Sequence, residues 1–226
     1  MNRSSKSRRA LVSRRGRAIL FAALISAASI GADSPPASGP YSNDFEKSAV
    51  GKPAEDLMAL NGTFSVVQIE GNKCLELAAD PLDGDGLLFG PAGAVTGETS
   101  ARVWAANSGR RFPEFGVGAN DAGGYKLIVA PALGTIELRK GDDACATAPF
   151  TWKPGTWTRL CLRIGTAPDG KFVIEGKAWA DGSPEPKNWM VSAQETEAPP
   201  AGRSSVWGMP YSGLPIRFDD LKYAPL

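Results

Sequence analysis

Histidine is absent from this chain. Its absence excludes the Ser–His and Cys–His nucleophile pairs and most zinc hydrolases. Cysteine is scarce: only Cys74, Cys145 and Cys161 occur, and three thiols without an imidazole make a poor zinc set. A phosphate-cradling loop is also missing, because Gly90-Pro91-Ala92-Gly93 has neither the lysine nor the following helix it would need. Outside the first 32 residues no stretch sustains helical periodicity, and no internal repeat of fixed period points to a propeller or solenoid. No long apolar run follows the first 32 residues, so the sequence predicts no membrane span in the mature chain.

What is present begins with a basic head. Arg3, Lys6, Arg8, Arg9, Arg14, Arg15 and Arg17 precede an apolar run from Ala18 to Ile30 and the small residues Ala28-Ser29-Ile30-Gly31-Ala32. This pattern predicts a secretory signal peptide over residues 1–32 and a secreted or periplasmic product. The alternative is a membrane anchor, but a run of about 13 residues falls short of the roughly 20 needed to span a bilayer. Arg14-Arg15 resembles a twin-arginine signal only weakly, because Arg17 stands where an apolar residue is expected. Removing those seven cations turns the formal charge of +1 into −6. A mildly acidic mature chain argues against nucleic acid as a partner. The Pro- and Ser-rich stretch 33–40 reads as a flexible linker, and residues 41–226 show no composition break that would divide them into two domains.

Within 41–226 the dominant signal has a period of two. Thr158, Leu160, Leu162 and Ile164 alternate with Trp157, Arg159, Cys161 and Arg163, and Ala101, Val103 and Ala105 alternate with Ser100, Arg102 and Trp104. Such alternation belongs to strands with one face buried and the other solvated. Turn signals separate the runs: Asn61-Gly62, Gly71-Asn72, Asn120 to Gly124, Gly141-Asp142-Asp143, Lys153-Pro154-Gly155-Thr156 and Ala167-Pro168-Asp169-Gly170. About a dozen short strands at intervals of roughly 8–12 residues predict an all-β sandwich or barrel. The Pro154-Gly155 turn is expected to join two strands of one hairpin. If that hairpin is symmetric about Lys153, Cys145 and Cys161 lie opposite each other, either bridged or as two free thiols.

Few residues offer chemistry. Glu114, Glu137 and Glu175 sit within strands, but no two of them stand at alternate positions of one strand as paired glycosidase carboxylates would. Solvated positions are the plainer reading. Trp104 shares its face with Ser100 and Arg102, and Trp179 shares one with Glu175 and Lys177. Aromatic rings on polar faces stack against sugars, and the alternative is rim or core packing. Asp83-Gly84-Asp85-Gly86 lacks the later ligands of a calcium loop and reads as a turn. Oxygens from the two ends, Asn43 with Glu46 and Asp219 with Asp220, would meet if the first and last strands are neighbours. They could then hold a structural Ca²⁺, or serve as edge carboxylates that discourage strand pairing.

The order Trp152-Lys153-Pro154-Gly155-Thr156-Trp157, then Gly176 to Gly182, then Pro186-Lys187-Asn188-Trp189, and finally Phe218-Asp219-Asp220-Leu221 resembles the concanavalin A-like lectin/glucanase superfamily. The laminin-G-like modules and the bacterial 3-keto-disaccharide hydrolase-like domains look most similar. This resemblance implies an all-β, two-sheet antiparallel β-sandwich, a jelly roll, that binds carbohydrate or protein on one concave sheet, and so a glycan or cell-surface component as partner, often with a structural Ca²⁺. Arg102, Trp104, Glu114, Tyr125, Glu175 and Trp179 are the candidates for such a surface, and Asn43, Glu46, Asp219 and Asp220 match the ion's place near both termini. The glucanase run Glu-x-Asp-x-x-Glu is missing, which argues against glucanase activity. Three readings follow: a non-catalytic glycan-binding module, a glycoside-processing enzyme of the keto-sugar type, or a structural envelope or adhesion module.

Overall fold

The structure, a computed structural model, describes residues 39–80 and 84–226. The expected signal peptide, all but the last two residues of the expected linker, and Asp83 of the calcium-like turn lie outside the described residues.

Fifteen strands and no helix make up the described chain. In order they are β1 (Tyr41–Asn43), β2 (Met58–Ala59), β3 (Phe64–Ile69), β4 (Asn72–Leu77) and β5 (Asp85–Ala94). Then come β6 (Gly97–Ala105), β7 (Glu114–Ala119), β8 (Tyr125–Ala130), β9 (Thr135–Lys140) and β10 (Asp143–Pro149). The chain closes with β11 (Thr156–Thr166), β12 (Phe172–Ala180), β13 (Val191–Glu195), β14 (Gly202–Met209) and β15 (Ile216–Ala224). They form two antiparallel sheets. One has eight strands in the order β13-β12-β11-β6-β15-β4-β3, with β1 also on β15, and the other has seven in the order β10-β9-β8-β7-β14-β5-β2. The expected all-β sandwich is what the chain folds into.

The core lies between the sheets, where alternate side chains from both inner faces meet. Strand β6 shows why: Thr99, Ala101, Val103 and Ala105 are buried, while Glu98, Ser100, Arg102 and Trp104 remain partly accessible. In β11 the inward set is Thr158, Leu160, Leu162 and Ile164, as the alternation predicts. Leu127 from the opposite sheet occupies the space that a side chain at Gly176 would take. Each such buried aliphatic side chain contributes on the order of 1.5–3 kcal/mol. The first and last strands are indeed neighbours, with Tyr41 opposite Tyr223 and Asn43 opposite Leu221.

The Pro154-Gly155 turn does not close a hairpin. Strand β10 belongs to the seven-stranded sheet and β11 to the eight-stranded one. The segment between them crosses from sheet to sheet, with Phe150 and Trp152 packed against the core and Gly155 N–H donating to the Ala105 carbonyl at 2.8 Å. Cys145 is therefore not opposite Cys161, whose cross-strand neighbours are Ser100 and Lys177. The expected disulfide is overturned, and all three thiols are free. Turn chemistry specifies that the chain reverses but not which strand it then pairs with.

Candidate functional site

The outward face of the eight-stranded sheet is built in cross-strand rows. One row runs Trp179, Arg159, Arg102, Asp219 across β12, β11, β6 and β15. The adjacent row runs Trp157, Trp104, Arg217, Glu76 across β11, β6, β15 and β4. Alternation within each strand places these side chains outward, and register places them side by side.

The first row is an ion-pair ridge. Arg102 donates to Asp219 Oδ2 at 2.6 Å and to Asn72 Oδ1 at 2.9 Å, and it approaches Asp181 and Asp220 at 3.5 Å each. Arg159 donates to Asp181 Oδ1 at 2.6 Å and to Asp220 Oδ2 at 3.2 Å. Two consecutive aspartates reach the same face because β15 bulges between Asp219 and Lys222, with Asp220 in the left-handed region at φ 51°. Burial works against the charge on Arg102, yet the Asp219 hydrogen bond and the surrounding carboxylates hold its guanidinium above the usual range. Burial pushes Asp219 up, and its bonds from Asn72 and Arg102 offset this only in part. Asp181 is also raised by burial, but Arg159 and then Arg102 outweigh that and hold it below the usual carboxylate range.

The ridge separates two depressions. The larger, of about 480 Å³, is lined by Asn72, Cys74, Arg102, Trp104, Trp157 and Arg217, among others. Here the guanidiniums lie over indole rings: Arg217 is 4.4 Å from the Trp104 centroid and Arg102 is 4.7 Å from that of Trp157. The smaller, of about 190 Å³, holds Cys161, Trp179, Arg159 and Glu98. Burial lifts the Cys74 thiol to about 11 and the Cys161 thiol higher, so both stay protonated and unreactive at neutral pH.

The six candidate residues do not share one face. Arg102, Trp104, Glu175 and Trp179 do, and Glu175 there accepts from Arg163 Nε at 3.1 Å beside Trp189. Tyr125 instead points into the core, 1% exposed beside Leu127 and Val129. Glu114 begins β7 in the other sheet and accepts from Arg139 at 3.1 Å. The same Arg139 nitrogen lies 2.7 Å from Glu137. Near them on that sheet Lys126 stands 4.0 Å above the Trp207 ring, whose Nε1 donates to Ser205. Residues that the sequence reading missed include Trp157, Arg159 and Arg217. Trp157 and Arg159 carried a signal, the parity they share along β11, and Arg217 carried one too, because it stands two residues before Asp219 and ahead of the bulge in β15.

The expected calcium ligands do not converge either. Asn43 Oδ1 accepts from the Phe45 N–H at 2.9 Å, and Glu46 Oε1 accepts from the Lys73 N–H at 3.0 Å. The Lys73 ammonium already binds the Glu46 and Ser48 carbonyls, while guanidiniums hold Asp219 and Asp220. Among the described residues no group of three or more acidic or thiol side chains is placed to hold a metal ion. Backbone N–H groups and guanidiniums already engage these four side chains, so they do not fit the ion.

No family model matches the chain, and no curated protein matches it. Solved structures do. The apo Crh5 transglycosylase superposes with a TM-score of 0.54 at 12% identity, covering 85% of this chain and 88% of that one. The Emp47p carbohydrate recognition domain gives 0.53 at 10% identity, covering 86% and 98%. The CBM66 carbohydrate binding module from Bacillus subtilis gives 0.44 at 12% identity, covering 75% and 91%. The fold is the one shared with the Crh5 transglycosylase and the Emp47p domain. In this two-sheet sandwich the ridge and its two depressions occupy the outward face of the sheet that carries the first and last described strands, β1 and β15. Among the described residues no helix is long and apolar enough to cross a membrane.

Proposed function

We propose that this chain is an exported, non-catalytic carbohydrate-binding module that holds a glycan, free or on a cell surface, against the outward face of its eight-stranded sheet. The observation that carries the reading is the Trp157, Trp104, Arg217 row beside the 480 Å³ depression. Indole faces and edges recognise the apolar and polar parts of a sugar ring together. A transglycosylase and a carbohydrate recognition domain on the same fold support the class of ligand, and export rests on the basic and apolar leader. Calorimetric titration against a panel of polysaccharides tests it. At least one glycan is expected to bind, with Trp104→Ala and Trp157→Ala each weakening it at least tenfold. Absence of heat across chemically diverse glycans would sink the reading and favour a structural envelope or adhesion module.

A glycoside-processing enzyme is the second reading, favoured by one observation: Glu114 and Glu137 both lie within 3.1 Å of one Arg139 nitrogen. Two carboxylates so close resemble the pair of a retaining glycosidase. Both carboxylates are, however, already bonded to the Arg139 guanidinium. Turnover of a 3-keto glycoside, abolished by Glu114→Gln and by Glu137→Gln, would establish the enzyme and displace the binding module.

A further inference from the structure

The larger depression differs from the ridge in what its groups leave unspent. Arg102 uses both of its terminal nitrogens, one on Asp219 and Asn72 and the other on Asp181, while its buried Nε lies 3.5 Å from Asp220 without a hydrogen bond. Arg159 uses two on Asp181 and Asp220, and Arg163 uses two on Glu175. Arg217 uses one: its Nε donates to Glu76 Oε2 at 2.8 Å, and among the described residues nothing bonds its two terminal nitrogens. The side chain is nonetheless held in place. It is only 17% exposed, clamped at Nε by Glu76 and laid over Trp104. This is a guanidinium fork fixed at its base and open at its tips, with little rotamer freedom left to lose on binding.

The other unspent polar groups in the depression are mostly donors as well. The indole N–H groups of Trp104 and Trp157 make no hydrogen bond with the described residues, while Asn72 is spent on Arg102, Asp219 and the Lys73 carbonyl. Glu70 is the one carboxylate in the lining, and it lies exposed. A pocket of donors beside aromatic planes calls for a ligand rich in acceptors with an apolar ring face. A planar carboxylate with two parallel oxygens matches an open guanidinium fork better than a neutral hydroxyl does. A sulfate ester carries the same charge in a tetrahedral shape.

We infer that the depression is a subsite for a uronic acid residue, with the carboxylate taken by the Arg217 fork and the sugar ring laid against Trp104 and Trp157. This assignment rests on the glycan-binding reading and names the substrate class within it. Glu76 is a positioning residue that holds Arg217 Nε.

Calorimetric titration of the purified protein with oligogalacturonate and oligoalginate, each beside its neutral methyl ester, and with an oligosaccharide from a sulfated galactan tests the inference. At least one oligouronate is expected to bind at least tenfold more tightly than its ester. Arg217→Gln should abolish that difference while leaving the urea midpoint close to wild type. Arg217→Lys, which keeps the charge without the fork, should recover only part of it. The ester comparison in wild type stands alone should either variant fold poorly. Equal binding of ester and acid, or binding of the sulfated oligosaccharide alone, overturns the uronate subsite and leaves glycan binding intact. Failure of every acidic and neutral glycan overturns the glycan-binding reading itself, and the subsite with it.

Discussion

Arg102 and Asp219 stand directly opposite each other on β6 and β15, and their side chains meet at 2.6 Å with the carboxylate side chain 1% exposed. Three further oxygens, from Asn72, Asp181 and Asp220, surround the same guanidinium. The ridge therefore ties β4, β6, β11, β15 and the turn at Asp181 together between the two depressions, and each of its members constrains the others.

Removal of the guanidinium leaves a buried carboxylate without its cation. Breaking one partner out of such a pair costs about 3–5 kcal/mol. Arg102→Met is expected to lower stability by that amount in urea denaturation. A loss well under 1 kcal/mol would mean that water or Arg159 takes over the role of Arg102.

Asp181 supplies a pH dependence. Its folded-state value lies below the usual carboxylate range, where Arg159 and Arg102 outweigh the effect of burial. A depressed folded value adds stability that is complete above the unfolded value and is lost as pH falls through the folded one. The stability difference between wild type and Asp181→Asn should therefore be present at pH 7 and shrink as the pH falls through and below the usual carboxylate range. A difference that grows on acidification would contradict the pairing.

On the other sheet Trp207 lies directly across from Gly86, and a β-carbon at Gly86 would come within 2.8 Å of the indole ring. The ring cannot retreat freely, because its Nε1 donates to Ser205 and Lys126 lies over it. Gly86→Ala should cost about 1–3 kcal/mol through overpacking and shift the Trp207 fluorescence. An unchanged spectrum and urea midpoint would show that the ring moves without cost.

The three thiols should separate by accessibility. Cys145 is exposed, whereas Cys74 and Cys161 are buried, with burial the first cause of their raised values and nearby carboxylates adding to it. A thiol-specific disulfide reagent should label Cys145 alone in the native protein and all three thiols in denaturant. Absence of a free native thiol would instead indicate a bridge.

Much of the fold was legible in the chain because period-two alternation is a local property. The runs at 97–105 and 156–166 show which side chains share a face, and Tyr125 does share one with Leu127 and Val129. Parity does not say whether a shared face is inner or outer. Leu127 and Val129 take Tyr125 inward, and it leaves the candidate surface. The bulge between Asp219 and Lys222 breaks parity, which hid the pairing of Asp220 with Arg159. Likewise Glu114 was grouped with residues of a sheet to which it does not belong.

By itself the sequence determined that many short strands, each with one apolar face, must close over a common core as a sandwich or a barrel, because those arrangements bury alternate residues along extended segments. It also excluded imidazole chemistry outright. Only the tertiary structure decided that Trp157 lies beside Trp104, that Arg217 crosses the latter's ring, and that the turn at Pro154 carries the chain from one layer to the other. The reason is physical: backbone hydrogen bonds between strands are nearly blind to side-chain identity, so partner and register are chosen by the packing of the whole sandwich.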